Sequence, residues 1–212
     1  MRRVMIAGIG GASLGTELLK CLKAAGGYSV LGCDISRFAY GHYMSGFEQT
    51  YVVDSMDYLN SLIEICLKEN VGVIVPGGEQ PLQILNSARM ILSNLGIALA
   101  ANSKEVTDIF TNKGRTFEVL REKGFAVPMT IEPQSEADFS GMRYPCVIKP
   151  STGSGGSDGV MIARSSVEAV RYWRTTTEEG RMLLLQEYVP HHDGEFSIGV
   201  LSVPGHGVVG SI

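Results

Sequence analysis

Apolar residues follow two rhythms along this chain. In the first hundred residues, short apolar runs at 4–7, 29–34, 50–53, 72–76 and 98–100 alternate with segments at 16–25, 57–69 and 82–95 in which apolar residues recur every three or four positions. The short runs read as strands and the 3.6-period segments as helices, with Leu18, Leu19 and Leu22 on one face of the first helix. Strands alternating with helices predict a parallel, doubly wound sheet. Gly26 with Gly27, and Asn70 with Val71, are the expected helix stops. Beyond residue 103 the rhythm changes. A helix carrying Lys113 leads to Gly124 and a Val127-Pro128 entry into a strand, followed by strands at 145–148, 160–163 and 183–186 and a helix at 167–173. A strand at 196–203 and a hairpin turned at 204–207, with 208–212 as its second arm, close the chain. This part predicts an α+β unit with an antiparallel sheet and the 167–173 helix packed on it.

Composition narrows the function classes. The chain has 212 residues, enough for one large or two small domains, and 44% of them are hydrophobic. The net charge is −4 and no run of Lys or Arg occurs, so no nucleic-acid partner is expected. No apolar stretch approaches the ~18 residues of a membrane span. Residues 1–12 read as a short strand ending in glycines and not as a signal peptide, so a cytoplasmic location is expected. Cys21, Cys33, Cys66 and Cys146 form no C-x-x-C pair and sit at no zinc spacing beside a histidine. All four are expected to be reduced and buried. His191, His192 and Asp193 are adjacent on a turn, which points their side chains apart, toward solvent and away from a shared metal.

The candidate chemistry begins at Lys149. An apolar strand delivers this lysine and Pro150, and a loop follows that holds Ser151, Gly153, Ser154, Gly155, Gly156 and Gly159. Glycines let backbone N–H groups turn toward an anion without a Cβ in the way, and the lysine adds positive charge for the same anion. The order, lysine first and a strand on both sides, is not that of a Walker A loop. A phosphate-gripping hairpin loop fits it, with a nucleoside triphosphate first among the ligands; a solvated Gly/Ser-rich surface hairpin has the same composition. Downstream, Glu187 and Val189 follow a buried strand and Glu195 follows the turn at 190–194. That spacing suits an adenine edge at 187–189 and a ribose at Glu195, and it equally suits two solvated strand-end acids.

A second glycine turn, at 8–15, follows the first strand and opens a helix, with Asp34 at the end of the next strand. This invites an NAD-binding reading, which would make the chain an oxidoreductase. Against it, Ser13 stands where Gly or Ala is expected for close helix packing. Gly10 and Gly11 can hold some other anion at the helix start, and Glu79 lies at the carboxyl end of a central strand, where an acceptor substrate would bind.

The order Lys113, helix, Gly-x-x-Val-Pro, strand, Lys149-Pro150, glycine loop, strand, Gln186-Glu187, Gly194-Glu195 resembles the ATP-grasp superfamily over essentially the whole chain. The segment 145–159 looks most like the carbamoyl-phosphate synthase large subunit, with lysine at 113 and 149 where those enzymes tend to have arginine. The resemblance implies a Rossmann-like parallel-sheet domain over 1–103, a linking helix over 104–115, an ATP-grasp small subdomain over 116–189 and the start of a truncated larger subdomain at 190–212. It implies ATP phosphates on Lys113 and Lys149, a loop closing over them at 151–159, adenine at Glu187 and Val189, and ribose at Glu195. Gly10, Gly11 and Glu79 would be acceptor-site candidates. It implies an ATP-dependent ligase that activates a carboxylate or bicarbonate for attack by an amine, with magnesium ligands expected beyond Ile212. On that reading these 212 residues are an inactive fragment, with a non-catalytic nucleotide-binding module as the alternative. Whether the protein forms a homo-oligomer stays open.

Overall fold

A computed structural model describes residues 2–10, 14–152, 158–190, 192, 194–203 and 205–212. The chain forms two compact units, Met1–Val119 and Leu120–Ile212. In the first, β1 (Arg2–Ala7), β2 (Tyr28–Asp34), β3 (Gln49–Val52), β4 (Val73–Pro76) and β5 (Ala98–Leu99) lie in the order β3-β2-β1-β4-β5. Every pair is parallel, as the strand–helix alternation predicts. Successive strand side chains face opposite ways. Met5, Ala7, Leu31, Cys33 and Ile74 therefore enter one core, with Leu62 and Cys66 of α2 (Tyr58–Lys68). Ile6 and Val30 enter another, with Leu19 of α1 (Leu14–Ala25). A parallel sheet is stable only when both faces are covered in this way.

Two departures from the expected helices have tertiary causes. The single helix expected at 82–95 is two, α3 (Glu79–Ser87) and α4 (Arg89–Asn94), which meet at Ala88. The start moves back to Glu79 because Pro81 falls in the first turn, where the missing N–H has no intrahelical partner to lose. At the break, Arg89 donates to the carbonyls of Leu99, Ala101 and Asn102 and to Asn86 Oδ1, while Asn86 Nδ2 donates to Thr107 Oγ1 at 2.7 Å. These bonds tie α5 (Lys104–Thr111) to the sheet's last strand. A second junction falls at Asn112, whose Oδ1 accepts the N–H of Arg115 at 3.0 Å and so starts a new helix, α6 (Lys113–Glu122).

In the second unit, β6 (Thr130–Ile131), β7 (Cys146–Pro150), β8 (Met161–Ala163) and β9 (Leu183–Glu187) form an antiparallel sheet in the order β6-β9-β7-β8. Helix α7 (Ser166–Glu178) packs on one face through Ala169 and Trp173, against Cys146, Ile148, Ala163, Leu183 and Leu185. It runs five residues past the expected 167–173, and Ser165 caps its start by accepting the N–H of Glu168. The strand expected over 196–203 is shorter. Only β10 (Val200–Val203) is regular, because its hairpin partner β11 (Gly207–Ser211) pairs no further back than the Gly199–Ile212 backbone bonds. Among the described residues no helix is long and apolar enough to cross a membrane.

One of the four cysteines is not buried as expected. Cys21 is exposed on α1. It stands two residues from buried Leu19, about 200° around the helix, and therefore on the outer face. Burial pushes the Cys66 thiol up to about 12 and the Cys146 thiol up to about 11, and raises Cys33 further. A disulfide reagent at neutral pH is therefore expected to label one thiol in the native protein, at Cys21, and four only after unfolding; peptide mapping checks the assignment.

Candidate functional site

The phosphate candidate is built on β7. Its Cys146, Ile148 and Pro150 are buried, while Val147 and Lys149, one residue out of phase, take the opposite face of the sheet from α7. Thr130 of β6 stands opposite Gln186 of β9 in register. Gln186 in turn stands opposite Val147, which places Thr130, Gln186 and Lys149 on one face. Lys149 Nζ donates to Gln186 Oε1 at 2.7 Å, Gln186 Nε2 donates to Thr130 Oγ1 at 2.7 Å, and the Thr130 hydroxyl donates to the Pro128 carbonyl at 3.0 Å.

Just past β7, Ser151 is anchored by its N–H on the Met182 carbonyl, but its buried hydroxyl has no hydrogen-bond partner among the described residues. A buried hydroxyl without a partner costs about 1–3 kcal/mol, which a ligand oxygen would remove. The loop returns at Gly159, with φ +69°, its carbonyl accepting from Tyr172 Oη at 3.0 Å. A Cβ there would stand 2.9 Å from Pro150 Cγ, so departure and return lie side by side. Gly153, Ser154, Gly155 and Gly156, and with them the expected closure over phosphates, lie outside the described residues, as do His191 and Asp193 of the His-His-Asp turn.

The adenosine candidates are placed differently. Glu187 ends β9 opposite Cys146, at the far end of the ladder from Lys149. Its backbone N–H donates to the Met129 carbonyl at 2.8 Å, and its Oε2 accepts the Met129 N–H at 3.2 Å. Val189 is exposed two residues on. Glu195 is exposed in a segment without regular structure and does not open a strand. In the first unit, Lys113 is the first residue of α6, half-buried behind the Asn112 cap.

The first unit holds a cleft of about 640 Å³ at the carboxyl ends of β1, β2 and β4, where the strand order reverses. Gly8, Gly10, Asp34, Tyr58, Gly77 and Gln80 are among its walls, while Lys113 and Glu79 are not among its described lining residues. Gly11 lies outside the described residues. Glu79 is exposed in the first turn of α3 and accepts from Gln83. Asp34 is engaged by the turn itself: Oδ2 accepts the Ile9 N–H and Oδ1 the Ser36 N–H, each at 2.9 Å. A ribose would have to compete with both bonds. Close packing at this turn comes from Gly15 and Gly77, which enclose the Gly8 carbonyl; Ser13 lies outside the described residues.

Residues 110–204 match the family model described as an ATP-grasp domain. This segment is therefore similar to ATP-grasp domains. The chain is also similar to two curated enzymes. One is the formate-dependent phosphoribosylglycinamide formyltransferase of Thioalkalivibrio sulfidiphilus, 28% identical over 99% of this chain and 52% of that protein. The other is the phosphoribosylamine–glycine ligase of a Synechocystis strain, 26% identical over 75% of this chain and 40% of that protein. The chain thus spans about half the length of the curated relatives it matches, or less. The biotin carboxylase domain of Hydrogenobacter thermophilus 2-oxoglutarate carboxylase, solved with MgADP, ADP and bicarbonate, shares the fold with a TM-score of 0.68 at 22% identity, over 90% of this chain and 45% of that one.

Sequence reasoning passed over Gln186 and Thr130 as site residues. The available signal was an amide closing the apolar run LLLQ: a buried polar side chain needs a partner, and here the partner is Lys149.

Proposed function

We propose that this chain carries the nucleotide-gripping part of an ATP-dependent ligase that activates a small carboxylate, or bicarbonate, for attack by an amine. The observation that carries the reading is Lys149, held by Gln186 on the sheet face away from α7 two residues before Ser151, whose buried hydroxyl has no partner among the described residues. Two relatives point to the acceptor class by their names, which pair formate with a glycinamide and an amine with glycine. Carbamoyl-phosphate synthase-like chemistry, with bicarbonate as the carboxylate, is the narrower form of the same proposal.

In this reaction a carboxylate oxygen attacks the γ-phosphorus and ADP leaves with the electrons of the broken P–O bond. The amine nitrogen then attacks the acyl carbon, phosphate departs with the C–O electrons, and the nitrogen gives up a proton. Two anions must meet in the first step, so positive charge and aligned N–H groups are the protein's main contribution. Lys149 would hold the phosphates, Ser151 would donate to one of their oxygens, and the loop at 151–159 would keep water from the acyl phosphate. The Glu187 N–H is engaged with Met129, so the adenine edge would meet Tyr188 and Val189, with Glu195 at the ribose. The cleft with Gly10 would receive part of the acceptor. Among the described residues no group of three or more His, Cys, Asp or Glu gathers to hold a metal.

Calorimetry with ATP, ADP and NADH tests the reading. ATP and ADP are expected to bind and NADH is not. At the protein's full natural length, ADP release is expected only with a carboxylate or bicarbonate and an amine both present. Binding of NADH without ATP would overturn the proposal.

A further inference from the structure

The relay behind Lys149 has a fixed direction, and the direction comes from its far end. Pro128 has a carbonyl that can only accept, so the Thr130 hydroxyl gives it its one proton at 3.0 Å. Thr130 Oγ1 is then left as an acceptor. It takes the hydrogen of Gln186 Nε2 at 2.7 Å, which turns the amide so that Oε1 faces Lys149. With the amide reversed, an N–H donor would confront the ammonium and two donors would be left without acceptors. Gln186 is 7% exposed, so such a mismatch would be felt in a largely dry setting. The three side chains come from three strands, with Lys149 and Gln186 37 residues apart and Gln186 and Thr130 56 residues apart.

We propose that Thr130 and Gln186 are positioning residues that hold the Lys149 ammonium for a phosphate anion, without themselves touching the nucleotide phosphates. A lysine has four rotatable side-chain bonds and gives up much conformational freedom when a ligand fixes it. An acceptor that orients one of its N–H donors before binding lowers that cost. The acceptor is a neutral amide, so the lysine's charge is not cancelled by its support.

The inference rests on the proposed nucleotide reading, and one set of variants separates the two. Thr130→Val keeps the shape of the side chain and removes the acceptor that orients Gln186. Thr130→Ser keeps the hydroxyl, and Lys149→Ala removes the supported group. The measurements are affinities for ATP, ADP and adenosine by calorimetry, with thermal unfolding alongside. Thr130→Val is expected to weaken ATP and ADP binding by roughly fivefold, somewhat less than loss of a full charge-assisted bond. Adenosine affinity should change little, the unfolding midpoint should fall because the buried Gln186 Nε2 loses its acceptor, and Thr130→Ser should restore both the midpoint and the ATP affinity. A structural role alone would weaken all three ligands together; that result overturns the inference. Weakening by Lys149→Ala with none by Thr130→Val overturns the relay and leaves the nucleotide reading standing. No ATP binding by the unaltered protein overturns both.

Discussion

Lys149→Ala is expected to weaken ATP binding by more than about tenfold. A hydrogen bond to a charged group is worth about 1.5–3 kcal/mol, and ~1.4 kcal/mol is a factor of ten in affinity. Lys149 is placed for that contact. It leaves β7 on the face away from the α7 core, one residue before Pro150 and the start of the glycine loop. Truncation also deprives the buried Oε1 of Gln186 of its charged donor, so some loss of stability accompanies the loss of affinity. Calorimetry at low and high salt measures the effect. The difference between wild type and variant should shrink as salt screens the charge, because part of the anion's attraction is Coulombic. Equal affinity for ATP in the two proteins would remove Lys149 from the phosphate site.

Gly77→Ala and Gly15→Ala are expected to be the most damaging single changes to the first unit. An added Cβ at either position would fall far inside contact distance of the Gly8 carbonyl oxygen, and at Gly77 it would also stand 3.0 Å from Gly15 Cα. These neighbours are backbone. Gly8 is fixed in turn by its N–H on the Cys33 carbonyl and Gly77 by its N–H on the Ala7 carbonyl. Neither can retreat without opening β1 from β2 or β4. Ordinary overpacking costs ~1–3 kcal/mol, and a clash with immobile backbone belongs at or above the top of that range. A fall in the unfolding midpoint on the order of 10 °C follows for a unit of this size, measured by thermal or urea unfolding. Gly26→Ala is the control: its added Cβ would meet nothing, and only the positive φ of 68° is strained. Comparable losses in all three variants would mean that the glycine contact is not what limits stability.

Much of the fold was legible because its signals are local. The runs 4–7 and 72–76 are short, apolar and bounded by polar segments, and they became β1 and β4 with ends moved by a residue or two. The helix break at Ala88 was not legible. Residues 82–95 keep an unbroken helical rhythm, and the interruption comes from Arg89 and Asn86 reaching carbonyls and a hydroxyl that belong to residues 99–107. Cys21 shows the same limit on a small scale, since composition says that cysteines are usually buried and only helix phase shows that this one is not. In the candidate site, Lys149 and Ser151 stood out as the strand-to-glycine-loop junction. Gln186 read as the end of an apolar strand, and Thr130 carried no signal.

The sequence by itself determined the alternation of strand and helix in the first unit and the delivery of Lys149 from a strand into a glycine loop. Both are periodicities or adjacencies that neighbouring residues express together, through side-chain alternation every two positions in strands and a turn every 3.6 in helices. Only the tertiary structure decided what lies behind Lys149 and what lies between the strand ends. The Pro128–Thr130–Gln186–Lys149 relay joins three strands, and the Gly8–Gly15–Gly77 contact joins the ends of two strands and the start of a helix. Such contacts depend on sheet register and chain crossing, which bring together residues tens of positions apart, and no local pattern records which of them will meet.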